Sequence, residues 1–79
     1  IEAQTRRVLQ NLTEVLKAAG ISMDKVIKTT VFMTNLADFN KMNAVYTEFF
    51  PKDPPARSTA QVAALPKMGV VEIEVVAMV

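Results

Sequence analysis

The stretch "PPARSTAQVAALPKMGVVEIEVVAM" carries an arginine and two glutamates in unusually apolar company. Arg57 stands alone among uncharged residues from Pro54 to Leu65, behind a stiff Pro54-Pro55 lead-in, and Glu72 and Glu74 interrupt a run of valine and isoleucine. A guanidinium held by the chain is a bidentate partner for a carboxylate. That partner is either one of the glutamates or a small carboxylate ligand; the plainer alternative is a surface arginine at the start of a strand. Strand alternation puts Glu72 and Glu74 on one face, with Val71, Ile73 and Val75 on the other. Acids facing water would account for this pattern. The glutamate face continues as Val76 and Met78, however, so a carboxylate beside an apolar wall or a subunit boundary is the alternative, and one suited to proton transfer.

Other reactive groups are scarce. The chain has no cysteine and no histidine, so thiol nucleophiles, disulfides, thiolate metal sites and the usual neutral-pH proton shuttle are excluded within it. Acid–base chemistry falls to carboxylates, with Tyr46 or a lysine as weaker candidates. The eight acids are scattered, with no EF-hand or other metal loop. Ser58 and Thr59 lack a histidine or cysteine partner that would make a nucleophile. Asn43 in "KMNAVY", taken alone, is a helix-surface amide or a cap. The five methionines are core filler, and Thr29 and Thr30 fit strand propensity.

These residues sit on elements the sequence outlines. Val8, Leu12, Val15, Leu16 and Ala19 follow one helix face, ended by Gly20. "ISMDKV" is a short connection. "VIKTTVFMT" reads as a strand with faces Ile27, Thr29, Val31, Met33 and Val26, Lys28, Thr30, Phe32, Thr34; both are partly apolar, which predicts cover on both sides. "NLADFNKMNAVYTEFF" returns to helical spacing through Leu36 or Phe39, Met42, Val45 or Tyr46, and Phe49, with Asn35 or Asp38 as N-cap. Pro51 halts it, and "PKDPP" is a turn. Residues 57–65 are a predicted strand, "LPKMG" a hairpin connection, and 70–79 a final strand. The order helix, strand, helix, strand, strand predicts an α+β layer fold, with helices on a mixed sheet.

A chain of 79 residues is at most one domain and buries a modest core by itself, about 60% of its unfolded surface. A net charge of +1 gives no electrostatic case for nucleic acid or an anionic membrane, and no apolar run approaches the length of a span. Position 1 opens directly in a helical pattern without a cap, so residues 1–79 are read as the C-terminal portion of a longer domain.

"VIKTTVFMTNLADFNKMNAVYTEFF" followed by "PPARSTAQVAALPKMGVVEIEVVAM" resembles the C-terminal two-thirds of the Rid (YjgF-type) proteins, the reactive intermediate deaminases. The resemblance runs from the first helix to the end of the chain and is most specific at "PARS…VAALPK…VEIE.VA". It implies a chorismate-mutase-like α+β subunit with helices on one face of a mixed sheet, further strands at its N-terminal side, and a cytoplasmic homotrimer with sites at subunit boundaries; an organellar location is left open because any targeting signal would lie upstream. The implied activity is that of a 2-iminobutanoate/2-iminopropanoate deaminase-type hydrolase in metabolite damage control. Such enzymes convert enamines and imines such as 2-aminoacrylate to 2-keto acids and ammonia, without cofactor or metal. By the same resemblance Arg57 clamps the substrate carboxylate, Glu72 assists water activation and proton transfer, and Thr59, which stands where many relatives have cysteine, joins Asn43 in lining the cleft. Glu74 has no counterpart role. Two other functions are weighed against this one: a non-catalytic 2-keto-acid-binding regulator, and an RNA-acting translation inhibitor or ribonuclease, which the near-neutral charge and low aromatic content disfavour.

Overall fold

The computed structural model describes all 79 residues, Ile1–Val79. Helix α1 spans Glu2–Ala18 and ends as its sequence predicts. Gly20 takes φ +81°, its N–H donates to the Lys17 carbonyl, and the N–H of Ile21 reaches back to Leu16. This is a Schellman motif, in which glycine accepts the left-handed turn and Ile21 packs onto the core beside the helix end. The buried stripe of α1 is Thr5, Leu9 and Leu16 with Val8 and Leu12 half-buried, whereas Val15 is 63% exposed. The expected face is therefore rotated toward Leu9.

After one 3-10 turn comes β1, Val26–Met33, and then a second turn in which Asn35 Oδ1 accepts from the N–H of Ala37 at 2.9 Å. Helix α2 covers Phe39–Phe49; Asp38 sits at its N-cap position without a side-chain capping bond. Phe50 leaves the helical region, with φ −132° and ψ 65°, ahead of Pro51, which stops the helix. Strand β2 is Ala56–Gln61 and β3 is Val71–Ala77.

The sheet order is β2-β1-β3, with β1 parallel to β2 and antiparallel to β3. Parallel pairing of β1 with β2 needs the crossover that α2 provides. The predicted hairpin between the last two strands does not form. Both pair with β1, on opposite sides, and the chain passes between them through a 3-10 turn at Pro66–Met68. Strand β2 accordingly ends at Gln61 instead of continuing to residue 65. The outer edges of β2 and β3 are unpaired.

Alternation along β1 is reset by a bulge between Val26 and Lys28, which leaves Ile27 unpaired and half-exposed. Val26 thereby joins Thr29, Val31 and Met33 on the helix-covered face, contrary to the face assignment that strict alternation predicts. The core lies between that face, α1 and α2: Leu9, Leu16, Val31, Met33, Met42, Val45, Tyr46, Phe50, Val71 and Ile73 pack as one cluster with Val26. The opposite face of the sheet carries Lys28, Thr30 and Phe32 in the centre, flanked by Ser58 and Ala60 on β2 and by Glu72, Glu74 and Val76 on β3. Within one chain no element covers it, so the expectation of a sheet covered on both sides is met on one side only. No helix is long and apolar enough to cross a membrane.

Candidate functional site

Arg57 is the second residue of β2, one residue after the Pro54-Pro55 pair. Proline fixes its own φ, and Pro55 favours extended backbone at Pro54; Asp53, before the pair, takes a left-handed φ of 46° that aspartate tolerates, against the extended preference of a residue before proline. The strand therefore starts in a defined direction. Its register against β1 sets Arg57 opposite Thr29 and Thr59 opposite Val31, so both side chains rise on the helix-covered face. Being on the edge strand, Arg57 is half-buried and not enclosed.

Helix α2 supplies what holds it. Phe39, Asn43 and Tyr46 follow i, i+4, i+7 spacing and so share one helix face. Arg57 Nη1 donates to Asn43 Oδ1 at 2.5 Å. The guanidinium carbon stands 4.6 Å from the ring centroid of Tyr46 and 5.2 Å from that of Phe39, within cation–π range of both. Tyr46 is itself fixed: it is 3% exposed, its ring packs 4.8 Å from that of Phe50, and its hydroxyl shares a 2.8 Å hydrogen bond with the buried Thr29 Oγ1.

No carboxylate approaches Arg57; the one salt bridge in the chain joins Arg6 to Glu48. Of its five N–H donors, one is used within the chain. The guanidinium borders an open groove of about 350 Å³ lined by Asn43, Tyr46, Thr47, Phe50, Pro54 and Pro55. A half-buried cation with spare donors and an apolar wall beside it is suited to a small anion bearing a short apolar group. Thr59 lies two residues along the same face, half-buried and with no side-chain hydrogen bond.

Glu72 is elsewhere. It pairs with Phe32 on the uncovered face, is exposed, and its side chain makes no hydrogen bond. Arg57 and Glu72 thus lie on opposite faces of the sheet with β1 between their strands, and neither glutamate is the partner of Arg57 within one chain. Glu74 borders a shallow hollow of about 150 Å³ with Lys28 and Thr30, while Lys28 Nζ donates to Ser58 Oγ at 2.8 Å. No three acidic side chains converge anywhere in the chain in a way that could hold a metal ion.

The structure therefore joins Arg57 to Asn43, sets Thr59 on the same sheet face but outside the lining of the groove, and leaves Glu72 apart. It adds Phe39, Tyr46 and Thr29, which sequence patterning assigns to core and strand propensity. For the two aromatic residues the available signal was the helix face they share with Asn43, and for Thr29, on β1, there was none.

Comparison with known proteins matches the whole chain, residues 1–79, to the family described as Endoribonuclease L-PSP. A putative regulator AldR from Lactococcus lactis is 51% identical over 98% of this chain and 61% of that protein. The chloroplastic Reactive Intermediate Deaminase A of Arabidopsis thaliana is 49% identical over 98% of this chain and 41% of its own length. Among solved structures, RidA from an Antarctic Psychrobacter species superposes with a TM-score of 0.97 at 42% identity, covering 100% of this chain and 64% of that one. The chain thus spans roughly two-fifths to two-thirds of the length of these proteins. Arg57 at the mouth of its groove and the two-helix, three-strand layer that carries it are set in a sequence that belongs, along its whole length, to the Endoribonuclease L-PSP family, the family of the Rid proteins.

Proposed function

We propose that this chain forms part of a deaminase of reactive enamine and imine intermediates such as 2-aminoacrylate, releasing a 2-keto acid and ammonia. The observation that carries the reading is Arg57: a half-buried guanidinium with no carboxylate partner, held by an amide and two aromatic rings at the rim of a groove. Arg57 receives the substrate carboxylate, with Asn43 and Thr59 beside it. An enamine such as 2-aminoacrylate first takes a proton from solvent at its methylene carbon to become the iminium ion, and Glu72 then takes a proton from water as the water oxygen adds to the electrophilic carbon of the C=N group. Glu72 returns that proton to the nitrogen of the carbinolamine, and ammonia leaves as the hydroxyl gives up its proton to the Glu72 carboxylate and the carbon–oxygen double bond forms. Orientation and one general acid–base group suit a substrate already prone to hydrolyse.

Since Arg57 and Glu72 lie on opposite faces of one sheet, a site using both draws them from two subunits. This agrees with a homotrimer whose sites lie at subunit boundaries, and the bare face that carries Glu72 is the surface a neighbour would cover. The deciding experiment follows keto-acid release from 2-aminoacrylate generated in situ by a pyridoxal-phosphate dehydratase, using the intact protein and its Arg57→Ala variant. Acceleration above the spontaneous rate, lost in the variant, is the expected result; no acceleration by a verified oligomer sinks this reading.

A second reading keeps Arg57 as a receptor and dispenses with turnover. The separation of Glu72 from Arg57 favours it, as does the regulator name carried by the Lactococcus relative. Saturable 2-ketobutyrate binding without imine hydrolysis would select it.

A further inference from the structure

The packing around Arg57 has a particular geometry. A guanidinium offers two distinct surfaces: its flat faces, which attract the electron-rich faces of aromatic rings, and its edge, where all five N–H donors lie. A carboxylate partner would engage the edge and compete with any incoming anion. Here the contacts to Tyr46 and Phe39 engage the cation through ring faces, and Asn43 occupies one edge donor. The charge is thus retained in a half-buried position while most of its edge stays available on the groove side.

We infer that Tyr46, assisted by Phe39, is a positioning residue for anion capture by Arg57: the rings form a platform that fixes the plane of the guanidinium and aims its free donors at the groove. The inference rests on the reading of Arg57 as a carboxylate receptor. An unsupported arginine would have to be ordered when the ligand arrives, and that ordering weakens binding; a side chain already stacked avoids it. The platform is itself locked. Tyr46 is buried, its hydroxyl is held by Thr29 at 2.8 Å, and Thr29 is the β1 residue directly opposite Arg57 in the sheet. One buried hydrogen bond therefore ties the ring beneath the cation to the strand beside it. The hydroxyl serves the fold and the ring face serves the cation, so the two contributions are separable by substitution.

The test measures 2-ketobutyrate affinity by calorimetry, and kcat and KM for imine hydrolysis, in the intact protein and in Tyr46→Leu, Tyr46→Phe, Phe39→Leu, Arg57→Ala and the Tyr46→Leu/Arg57→Ala pair. Tyr46→Leu removes the π face and is expected to weaken binding and raise KM about 5- to 10-fold, with kcat changed less than about 2-fold. Tyr46→Phe keeps the face and should bind within about 2-fold of the parent despite losing the hydroxyl. Phe39→Leu, at a half-buried position that spares the fold, should weaken binding about 2- to 3-fold. The pair should lose nothing beyond Arg57→Ala alone. Ring-current shielding adds a direct readout: the Arg57 side-chain proton resonances should lie upfield in the parent and in Tyr46→Phe, and move downfield in Tyr46→Leu and Phe39→Leu. If Arg57→Ala binds as the parent does, the carboxylate-receptor reading itself fails. If Arg57→Ala loses binding while Tyr46→Leu and Phe39→Leu retain it, or if Tyr46→Leu weakens binding equally without Arg57, the positioning role alone is overturned.

Discussion

On the helix-covered face of the sheet Arg57 is held by an amide and two rings, whereas on the bare face Glu72 stands in solvent with no partner. The contrast follows from what each face packs against. Helices α1 and α2 bury one side of β1, so a cation placed there meets a preformed environment. Nothing within the chain covers the other side, and the environment of its carboxylates is left to whatever docks on it. The ligand-binding half of the proposed chemistry is thus built by the fold of one chain, and the proton-transfer half depends on assembly. Substitutions on the two faces should fail in different ways.

The largest effect is expected at Glu72. Glu72→Gln keeps the shape and removes the base, so kcat for 2-aminoacrylate hydrolysis should fall about 100- to 10,000-fold while 2-ketobutyrate affinity stays near that of the parent. Turnover unchanged in this variant would remove Glu72 from the reaction and erase the proposed division between the faces. Next in size is assembly. Val76 is 57% exposed on the bare face and pairs with Lys28 across the sheet, so Val76→Asp places a carboxylate beside a cation and is tolerated by the isolated fold. In an assembly that covers this face the same charge is buried and destabilising. Sedimentation should therefore show the oligomer dissociating while circular dichroism stays native; an intact oligomer would mean that this face is not the interface.

Much of the fold was legible because its signals are local. The stop at Gly20, the helix broken at Pro51, the strand character of β1 and the separation of Glu72 and Glu74 from Val71 and Ile73 each follow from a few neighbouring residues. What escaped was set at a distance or lacked a distinct signature. The 57–65 and 70–79 segments sit next to one another in sequence and so suggest a hairpin, but their pairing is decided by which strand each can reach, and both reach β1. The bulge at Ile27 leaves no mark in a β-branched run and reverses the expected face of Val26. In α1 the alternatives Leu9 and Val15 are both apolar, and packing chose the former. The roles of Phe39 and Tyr46 escaped for a more general reason: an aromatic stripe at helical spacing is the same pattern whether it faces methyl groups or a guanidinium. Arg57 stood out by type and Asn43 only through the family resemblance, and their contact across 14 residues left no signal in the sequence.

A smaller effect separates the core bond beneath Arg57 from the site above it. Thr29→Val preserves shape but leaves the buried Tyr46 hydroxyl without a partner, which should cost about 1–3 kcal/mol in denaturant unfolding. Adding Tyr46→Phe removes the orphaned group, and the double variant should recover most of that loss. Simple additivity of the two substitutions would show that the hydroxyls are not coupled.

The smallest effect lies outside both faces, where α1 meets α2. Arg6 reaches Glu48 with two hydrogen bonds, of 2.8 and 3.0 Å, but the side chains are 44% and 53% exposed. The hydrogen bond from Arg6, aided by its charge, holds the Glu48 carboxyl below the usual carboxylate range. A carboxylate whose folded value is depressed stabilises the fold above its unfolded value, about 4.3 for glutamate, and loses that contribution as the pH falls through the lower folded value. Glu48→Gln should therefore lower Tm slightly at neutral pH, by an amount that shrinks in high salt, and should match the parent once the medium is acidic enough to protonate Glu48. Ligand affinity at Arg57 should not change at all. A salt-insensitive loss of Tm, or one that persists in acid, would show that the glutamate contributes by packing instead of by charge, and any change in 2-ketobutyrate affinity would show that the helix pair is coupled to the groove that Arg57 borders.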